Sequence, residues 1–536
     1  MLPAGRLTLS WIGKDKALLG TPDGGYKWVE RTDPRVAEVR LIEPIEEVGS
    51  VSQSLAEGNL LIKGDSYDAL RALANIPEYA SEYRGKVKLI YIDPPFNTGQ
   101  AFADYDDALE HSVWLGMMRE RLLLAKELLS LDGSLWVHLD STEVHRARCL
   151  LDEIFGPQNY LATVVWQRTS TKSLARRTMG TMHESILVYG ASDKSELKTV
   201  YLPHEDRYVS TRFALQDERG RYNPENLTAG YHRPHLDSGK PWRGFDPSER
   251  RRCWAVPSSL LLEIGLTEAE SAKLTMREKL DLLDEKGYIY WPEKGGFPRY
   301  KKYLHKMKGR AVGDLWTDIN VINSQAIERT GFSTQKPEAL LQRVLEMGSK
   351  PGDIVLDYFA GSGTTAAVAH KMHRRWVAVE RESATVESII RPRLERIING
   401  DDSGGITDTV GWEKGGGFRA ASVRDSMYEL LDGRVFLAEW VRSSEFAKAV
   451  CAQLGFSVDD EWPFVGRKGR TRLATIDGVA DSETVRAIAS RLDANERVVI
   501  VAKASTQDAE RLLKKLSPGS RLRKAPRDLL ERSIVR

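Results

Sequence analysis

Two stretches of this sequence combine residue types that do chemistry. The first is Leu89-Ile90-Tyr91-Ile92-Asp93-Pro94-Pro95-Phe96-Asn97-Thr98-Gly99, an apolar run that stops in a carboxylate, two prolines and an aromatic ring. Consecutive prolines fix φ and remove backbone donors, so no ladder continues past Ile92 and Asp93 sits in a rigid loop. A plainer reading is a strand followed by a turn, since Asp and Pro are common turn residues. The second stretch is Tyr358-Phe359-Ala360-Gly361-Ser362-Gly363-Thr364-Thr365. Its glycines let the backbone approach a ligand, and the helix expected to follow offers free N–H groups.

Glu380 lies about 20 positions after the glycine loop, the spacing at which an acid grips ribose hydroxyls. That suggests an adenosine-containing cofactor. The loop nevertheless departs from the dinucleotide fingerprint, because Gly361-Ser362-Gly363 is not followed by a third Gly or Ala at the expected place. No P-loop lysine is present either. A cofactor without a pyrophosphate fits better, and S-adenosylmethionine is the natural candidate.

The elements that must position these loops read as alternating strands and helices. Val87 to Ile92 has the continuous apolar character of a strand covered on both faces. Asn59 to Lys63 reads as an earlier strand ending at Gly64-Asp65, so Asp65 and Asp93 occupy equivalent strand ends. Helical periodicity spans His111 to Leu131, with Trp114, Met117, Met118, Leu122 and Ala125 on one stripe, which reads as core. Ser134 to Leu139 follows as a strand and Thr142 to Phe155 as a helix, closed by Gly156-Pro157. The rhythm returns with a helix after Pro337, a strand to Asp357, a helix over Ala366 to Met372 and a strand Arg375 to Val379. Such alternation implies an α/β fold with a mostly parallel sheet covered by helices.

At 536 residues the chain should hold roughly three or four domains. The divisions expected are a lead-in over 1–57, core halves at 58–165 and 331–400, an insert at 166–330, a glycine-rich linker at 401–417 and a small α/β module at 418–536. In that module Val423 to Leu431 and Phe436 to Leu454 read as helical. Net charge is only +2, so nucleic-acid affinity must come from local patches. The insert supplies them: Arg168 to Arg177 with Lys172 and Arg176, then Arg250-Arg251-Arg252, then Arg299-Tyr300-Lys301-Lys302-Tyr303. Basic residues interleaved with tyrosines suit a phosphate backbone with stacking, although each cluster alone also reads as a solvated surface. Cys149, Cys253 and Cys451 have neither metal-ligand nor disulfide spacing, which favours a reducing, cytoplasmic setting without a metal. No signal peptide or long apolar span is legible.

The pairing of Asp93-Pro94-Pro95-Phe96 with Phe359-Ala360-Gly361-Ser362-Gly363, catalytic motif first, resembles the β class of amino-group DNA methyltransferases. Gly64-Asp65, Thr334-Gln335-Lys336-Pro337-Glu338, Arg375 to Glu380 and Leu9-Ser10-Trp11-Ile12-Gly13-Lys14 resemble the same family's motifs. The whole is similar to adenine-specific modification subunits of type III restriction systems. The resemblance implies a Rossmann-like fold with a mixed seven-stranded sheet, and a target-recognition domain where this chain has its basic insert. It implies that Asp93 and the Pro94 carbonyl accept the target amine's hydrogens, that Pro95 keeps the loop rigid, and that Phe96 stacks on a flipped base. It also implies that Asp357, Phe359, Gly361, Gly363, Thr364 and Glu380 line the cofactor, with Lys336 near its methionine end and Asp65 near its adenine. Expected partners are double-stranded DNA, a helicase or nuclease subunit, and a second copy of the chain. Adenine N6 is favoured over cytosine N4, which the same fold serves. A chain that chiefly recognises DNA or assembles a helicase-nuclease partner is the reading from a different class.

Overall fold

The computed structural model describes residues 8–21, 25–52, 58–97, 110–169, 179–230, 237–293, 295–431, 434–459 and 461–530. Two compact units divide the chain: Met1–Lys198 with Gly313–Arg536, and Thr199–Val312.

The first unit is built on a sheet whose strands are, in chain order, β1 Ile42–Gly49, β2 Asn59–Lys63, β3 Val87–Ile92, β4 Leu129–Leu139, β5 Tyr160–Gln167, β6 His183–Gly190, β7 Leu315–Trp316, β8 Ile354–Asp357, β9 Arg375–Glu380 and β10 Gly417–Val423. Their spatial order is β7-β5-β6-β4-β3-β8-β9-β2-β10-β1. From β4 across to β10 every pairing is parallel, and antiparallel pairings enter on both flanks. The expected seven strands are therefore ten among the described residues. The helices that bear on the site are α1 Ser66–Asn75, α2 His111–Leu128, α3 Val144–Phe155, α4 Glu338–Gly348, α5 Thr364–Lys371 and α6 Arg391–Asn399.

The strands are apolar because both faces are covered. Leu89, Ile90, Ile92, Leu356, Val377 and Val379 are all buried, and α1, α2 and α3 lay Leu70, Leu73, Trp114, Met118, Leu122 and Leu151 into the same core. Each fully buried Leu or Ile contributes about 1.5–3 kcal/mol against exposure. Close packing at the β2 end explains Gly64, where a Cβ would meet the Val423 side chain at 2.7 Å.

Three expected boundaries move. The segment 166–330 is not one module, because β6 and β7 complete the large sheet and the separate unit is only Thr199–Val312. Residues 417–423 belong to the same sheet as β10, inserted between β2 and β1, so the lead-in strand β1 and the end of the expected linker are sheet components. Val423 to Leu431 is not helical: Tyr428–Leu431 pairs with Arg434–Leu437 as a hairpin, and Phe436 precedes the helix Ser443–Leu454. There Val435 and Leu437 pack on the core, the period of a strand rather than a helix. The C-terminal residues also form a five-stranded sheet with its own apolar clusters.

The second unit carries a four-stranded antiparallel sheet, Leu215–Asp217, Gly220–Asn226, Arg299–Tyr303 and Ile289–Tyr290. Its small core centres on Trp242, Trp254, Leu280 and Leu283. Among the described residues no helix is long and apolar enough to cross a membrane.

Candidate functional site

Strand β3 runs beside β8, which puts Asp93 and Asp357 at neighbouring carboxyl ends although the two motifs lie far apart in sequence. Next to them, β9 ends in Glu380 and β2 runs into Gly64-Asp65, whose Gly64 N–H donates to the Glu380 carbonyl. Open parallel sheets bind ligands at this edge. A cleft of 340 Å³ opens there, lined by both loops and by Tyr91, Lys336 and Arg121 among others.

The acceptor loop is fixed from several sides. Pro94 is buried, and the Trp114 indole donates to the Pro95 carbonyl at 2.7 Å, so a residue expected only as core also anchors the loop. Lys336 Nζ donates to Asp93 Oδ2 at 2.5 Å and lies 5.0 Å from the centre of the Phe96 ring. Asp93 Oδ1 is buried with no hydrogen-bond partner among the described residues. A buried, unpaired carboxylate oxygen is costly unless a ligand donor completes it. Phe96 does not line the cleft; it is partly buried against the core, 6.0 Å from the His138 ring. Thr98 and Gly99 lie outside the described residues.

The glycine loop is shaped by its acids. Gly361, at φ 49°, donates its N–H to Glu380 Oε2, and the other Glu380 oxygen accepts from the Glu382 N–H. Asp357 accepts from the Phe359 N–H and from the Thr365 hydroxyl. Gly363, at φ 73°, caps α5 rather than lining the cleft, and a Cβ there would lie 3.0 Å from Ile390. Burial raises both the Glu380 and the Asp357 carboxyls, Asp357 to about 7, where Asp93 and Glu380 add to the shift and its two hydrogen bonds oppose it.

This shift fixes a sign. A folded value above the unfolded one means the folded protein holds the extra proton, so this stabilisation is complete below about pH 4 and is lost as pH rises through 7. Asp357→Asn should therefore gain stability relative to the parent as pH climbs across that window. Urea unfolding at a series of pH values measures it; a constant difference from pH 4 to 7 contradicts the assignment.

Two expected cofactor neighbours line the cleft with partners of their own. Asp65 borders the cleft, but its side chain caps α1 by accepting from the Tyr67 N–H and receives the Arg121 guanidinium on both oxygens, so it builds the wall. Lys336 belongs to the acceptor loop through Asp93. The neighbouring Glu338 joins the buried Lys371 and Arg393, and Arg393 also donates to the Ser362 carbonyl and Thr364 hydroxyl. That network braces the glycine loop from beneath. Sequence reading missed it because an acid, a lysine and an arginine on three helices share no spacing.

Of the basic residues expected to meet DNA, Lys172 and Arg176 lie outside the described residues. Arg168 pairs with Glu184, Lys301 with Asp217, and Arg252 donates to Thr228, so these three cations are already engaged within the protein. Tyr300 packs against the small core of the second unit. Arg251 is exposed at φ 52°, and Lys302 is half-buried. The second unit also holds a 560 Å³ groove lined by Arg250, Arg252, Arg299, Tyr290 and Phe297, with no carboxylate in its described lining.

The donor set suits a nucleoside cofactor without a pyrophosphate: the cleft combines carboxylates on two strand ends, aromatic walls from Tyr358 and Phe359, and a glycine loop. Among the described residues no group of His, Cys, Asp and Glu could hold a metal ion. Sheet order and cleft together define the Rossmann-like methyltransferase fold. The chain belongs to the DNA methylase family, whose model matches residues 87–391. Over 444 residues it is 32% identical to a Haemophilus influenzae protein named "probable type III restriction-modification enzyme HindVI Mod subunit", covering 70% of this chain and 55% of that one. It is 27% identical to the type II methyltransferase M.EcaI of Enterobacter cloacae, covering 72% of this chain and 77% of that one. The type III StyLTI Mod subunit of Salmonella typhimurium is 28% identical, covering 61% and 52%. The chain thus spans about half the length of the Mod subunits it matches.

Proposed function

We propose that this chain transfers a methyl group from S-adenosylmethionine to N6 of an adenine in double-stranded DNA, within a cytoplasmic restriction-modification or phage-defence system. The observation that carries the reading is Asp93, with one oxygen held by Lys336 and the other buried and unpartnered at a cofactor-sized cleft. Similarity to proteins named as Mod subunits and methyltransferases supports it.

Bound S-adenosylmethionine would supply an electrophilic methyl on a sulfonium. Asp357, Phe359, Gly361, Thr364 and Glu380 would hold it. An exocyclic amine conjugated with its ring is a poor nucleophile, so its lone pair must be aimed. Asp93 Oδ1 does this by accepting one N–H from a rigid loop, a preorganised electrostatic contribution. Phe96 would stack on the base, whose extrusion from the duplex costs about a few kcal/mol. Mass spectrometry of nucleosides from DNA incubated with labelled cofactor should find N6-methyladenine; N4-methylcytosine alone would overturn the base assignment.

In the second unit, the arginine-lined groove is the favoured DNA contact, with Arg250 stacked 4.7 Å from the Phe297 ring and Arg299 beside it. Arg250→Ala and Arg299→Ala should each weaken DNA binding and lower the slope of log affinity against log salt by about one. Titrations at several salt concentrations test this, and an unchanged slope would remove the groove from the interface.

The C-terminal sheet has cores of its own and, among the described residues, supplies none of the cleft lining, which favours a second role in assembly with a helicase or nuclease subunit. Co-purification of the full chain with a large ATPase would support that role. Sedimentation of the purified chain tests the homodimer.

A further inference from the structure

Methylating an amine leaves a proton to dispose of, because the nitrogen begins with two hydrogens and ends with one. Beside Asp93 a hydroxyl, an imidazole and a carboxylate stand in a row across three adjacent strands. Tyr91 on β3 lines the cleft, and its Oη lies 2.7 Å from His138 Nδ1 on β4. His138 Nε2 lies 2.9 Å from Glu184 Oε2 on β6, within ion-pair distance but not aligned as a hydrogen bond, so a small turn of either side chain completes the link. Glu184 Oε1 then accepts from Arg168 at 2.8 Å, and the Arg168 side chain is 53% exposed. The row joins the cleft to solvent.

Nothing about the fold calls for this row. His138 is 0% exposed within a strand whose neighbours Leu135, Trp136, Val137 and Leu139 are apolar core. A polar ring buried there is costly unless both nitrogens are paired. With its hydrogen on Nε2, the imidazole faces Glu184 and leaves Nδ1 to accept from Tyr91. The other groups around it are the Phe96 and Trp166 rings, at 6.0 and 5.7 Å. Burial works against the charged form of Glu184, yet Lys336, His138 and Arg168 hold its carboxyl below the ordinary range, so an anion waits behind the ring. A hydroxyl, an imidazole and a carboxylate in that order form a device for passing protons.

We propose that Tyr91, His138 and Glu184 form a relay that takes up the proton released at the target amine, an inference that rests on the methyl-transfer reading. The amine lone pair forms the new N–C bond, and the C–S bond breaks with its electron pair left on sulfur. The nitrogen recovers an N–H pair as that proton passes to Tyr91 Oη. The Tyr91 hydroxyl proton moves to His138 Nδ1, and the imidazolium gives its Nε2 proton to the Glu184 carboxylate, which releases it to water beside the exposed Arg168 side chain.

Single-turnover methyl transfer by the full chain tests the relay. Tyr91→Phe and His138→Gln should each be slowed about 100-fold, with cofactor and DNA affinities unchanged. In the ligand-free protein, a downfield imidazole N–H resonance should be present, absent from His138→Gln and moved in Glu184→Gln. The unaltered protein should also turn over more slowly in deuterium oxide, which keeps the test open if a variant fails to fold. A folded Tyr91→Phe chain with the parental rate, or a parent with no solvent isotope effect, overturns the relay alone. A parent that transfers no methyl overturns the underlying reading and the relay with it.

Discussion

Asp93→Ala is expected to reduce single-turnover methyl transfer by about a thousandfold while S-adenosylmethionine binding changes only a few-fold. The asymmetry follows from the geometry. The cofactor walls come from β8, the glycine loop and β9, and none of them is hydrogen-bonded to the Asp93 carboxylate. What the substitution removes is the unpartnered Oδ1 and the partner of Lys336. Asp93→Asn separates these effects, because it keeps the volume and one acceptor oxygen while losing the charge that pairs with Lys336. Rapid-quench assays with labelled cofactor, alongside calorimetric titration of the cofactor, supply both readouts. Turnover at the parental rate in Asp93→Ala would remove this loop from the reaction.

Glu338→Ala should destabilise the first unit by about 3–5 kcal/mol, the usual consequence of deleting one partner from a buried ion cluster. Glu338 accepts from Lys371 and Arg393, and its Oε2 also accepts from the Ile406 N–H, while Lys371 reaches Asp402 as well. All three central side chains are buried, so without Glu338 the Arg393 guanidinium would lose its carboxylate partner and Lys371 would keep only Asp402 in a low-dielectric interior. Because Arg393 holds the Ser362 carbonyl and Thr364 hydroxyl, cofactor affinity should fall alongside stability. Urea unfolding followed by tryptophan fluorescence measures the first effect. A loss below about 1 kcal/mol would show that water or rearrangement compensates the cluster.

Much of the site was legible because its chemistry is local. A carboxylate followed by two prolines, or a glycine loop between strand and helix, carries its meaning within a few residues; Asp93, Asp357, Gly361 and Glu380 meet at one cleft. The basic residues were less legible. Charge in a sequence does not reveal its partner, and Arg168, Lys301 and Arg252 are each engaged within the protein. Asp65 shows the same limit, as a strand-end acid turned to Arg121. The relay was invisible because Tyr91 and His138 read as ordinary members of two apolar strands, while Glu184 fell in the insert, where no strand was expected.

The sequence by itself determined the alternating strands and helices, the order of the two loops and the chemistry each can do, since these rest on side-chain periodicity and on backbone limits set by Pro and Gly. Only the tertiary structure decided which strands are neighbours. Lys336 meets Asp93 across 243 residues of chain, and β10 enters the sheet between β2 and β1. Those pairings follow from burying both faces of a shared sheet, a non-local condition. They also settle which charges face the cleft and which are spent holding it together.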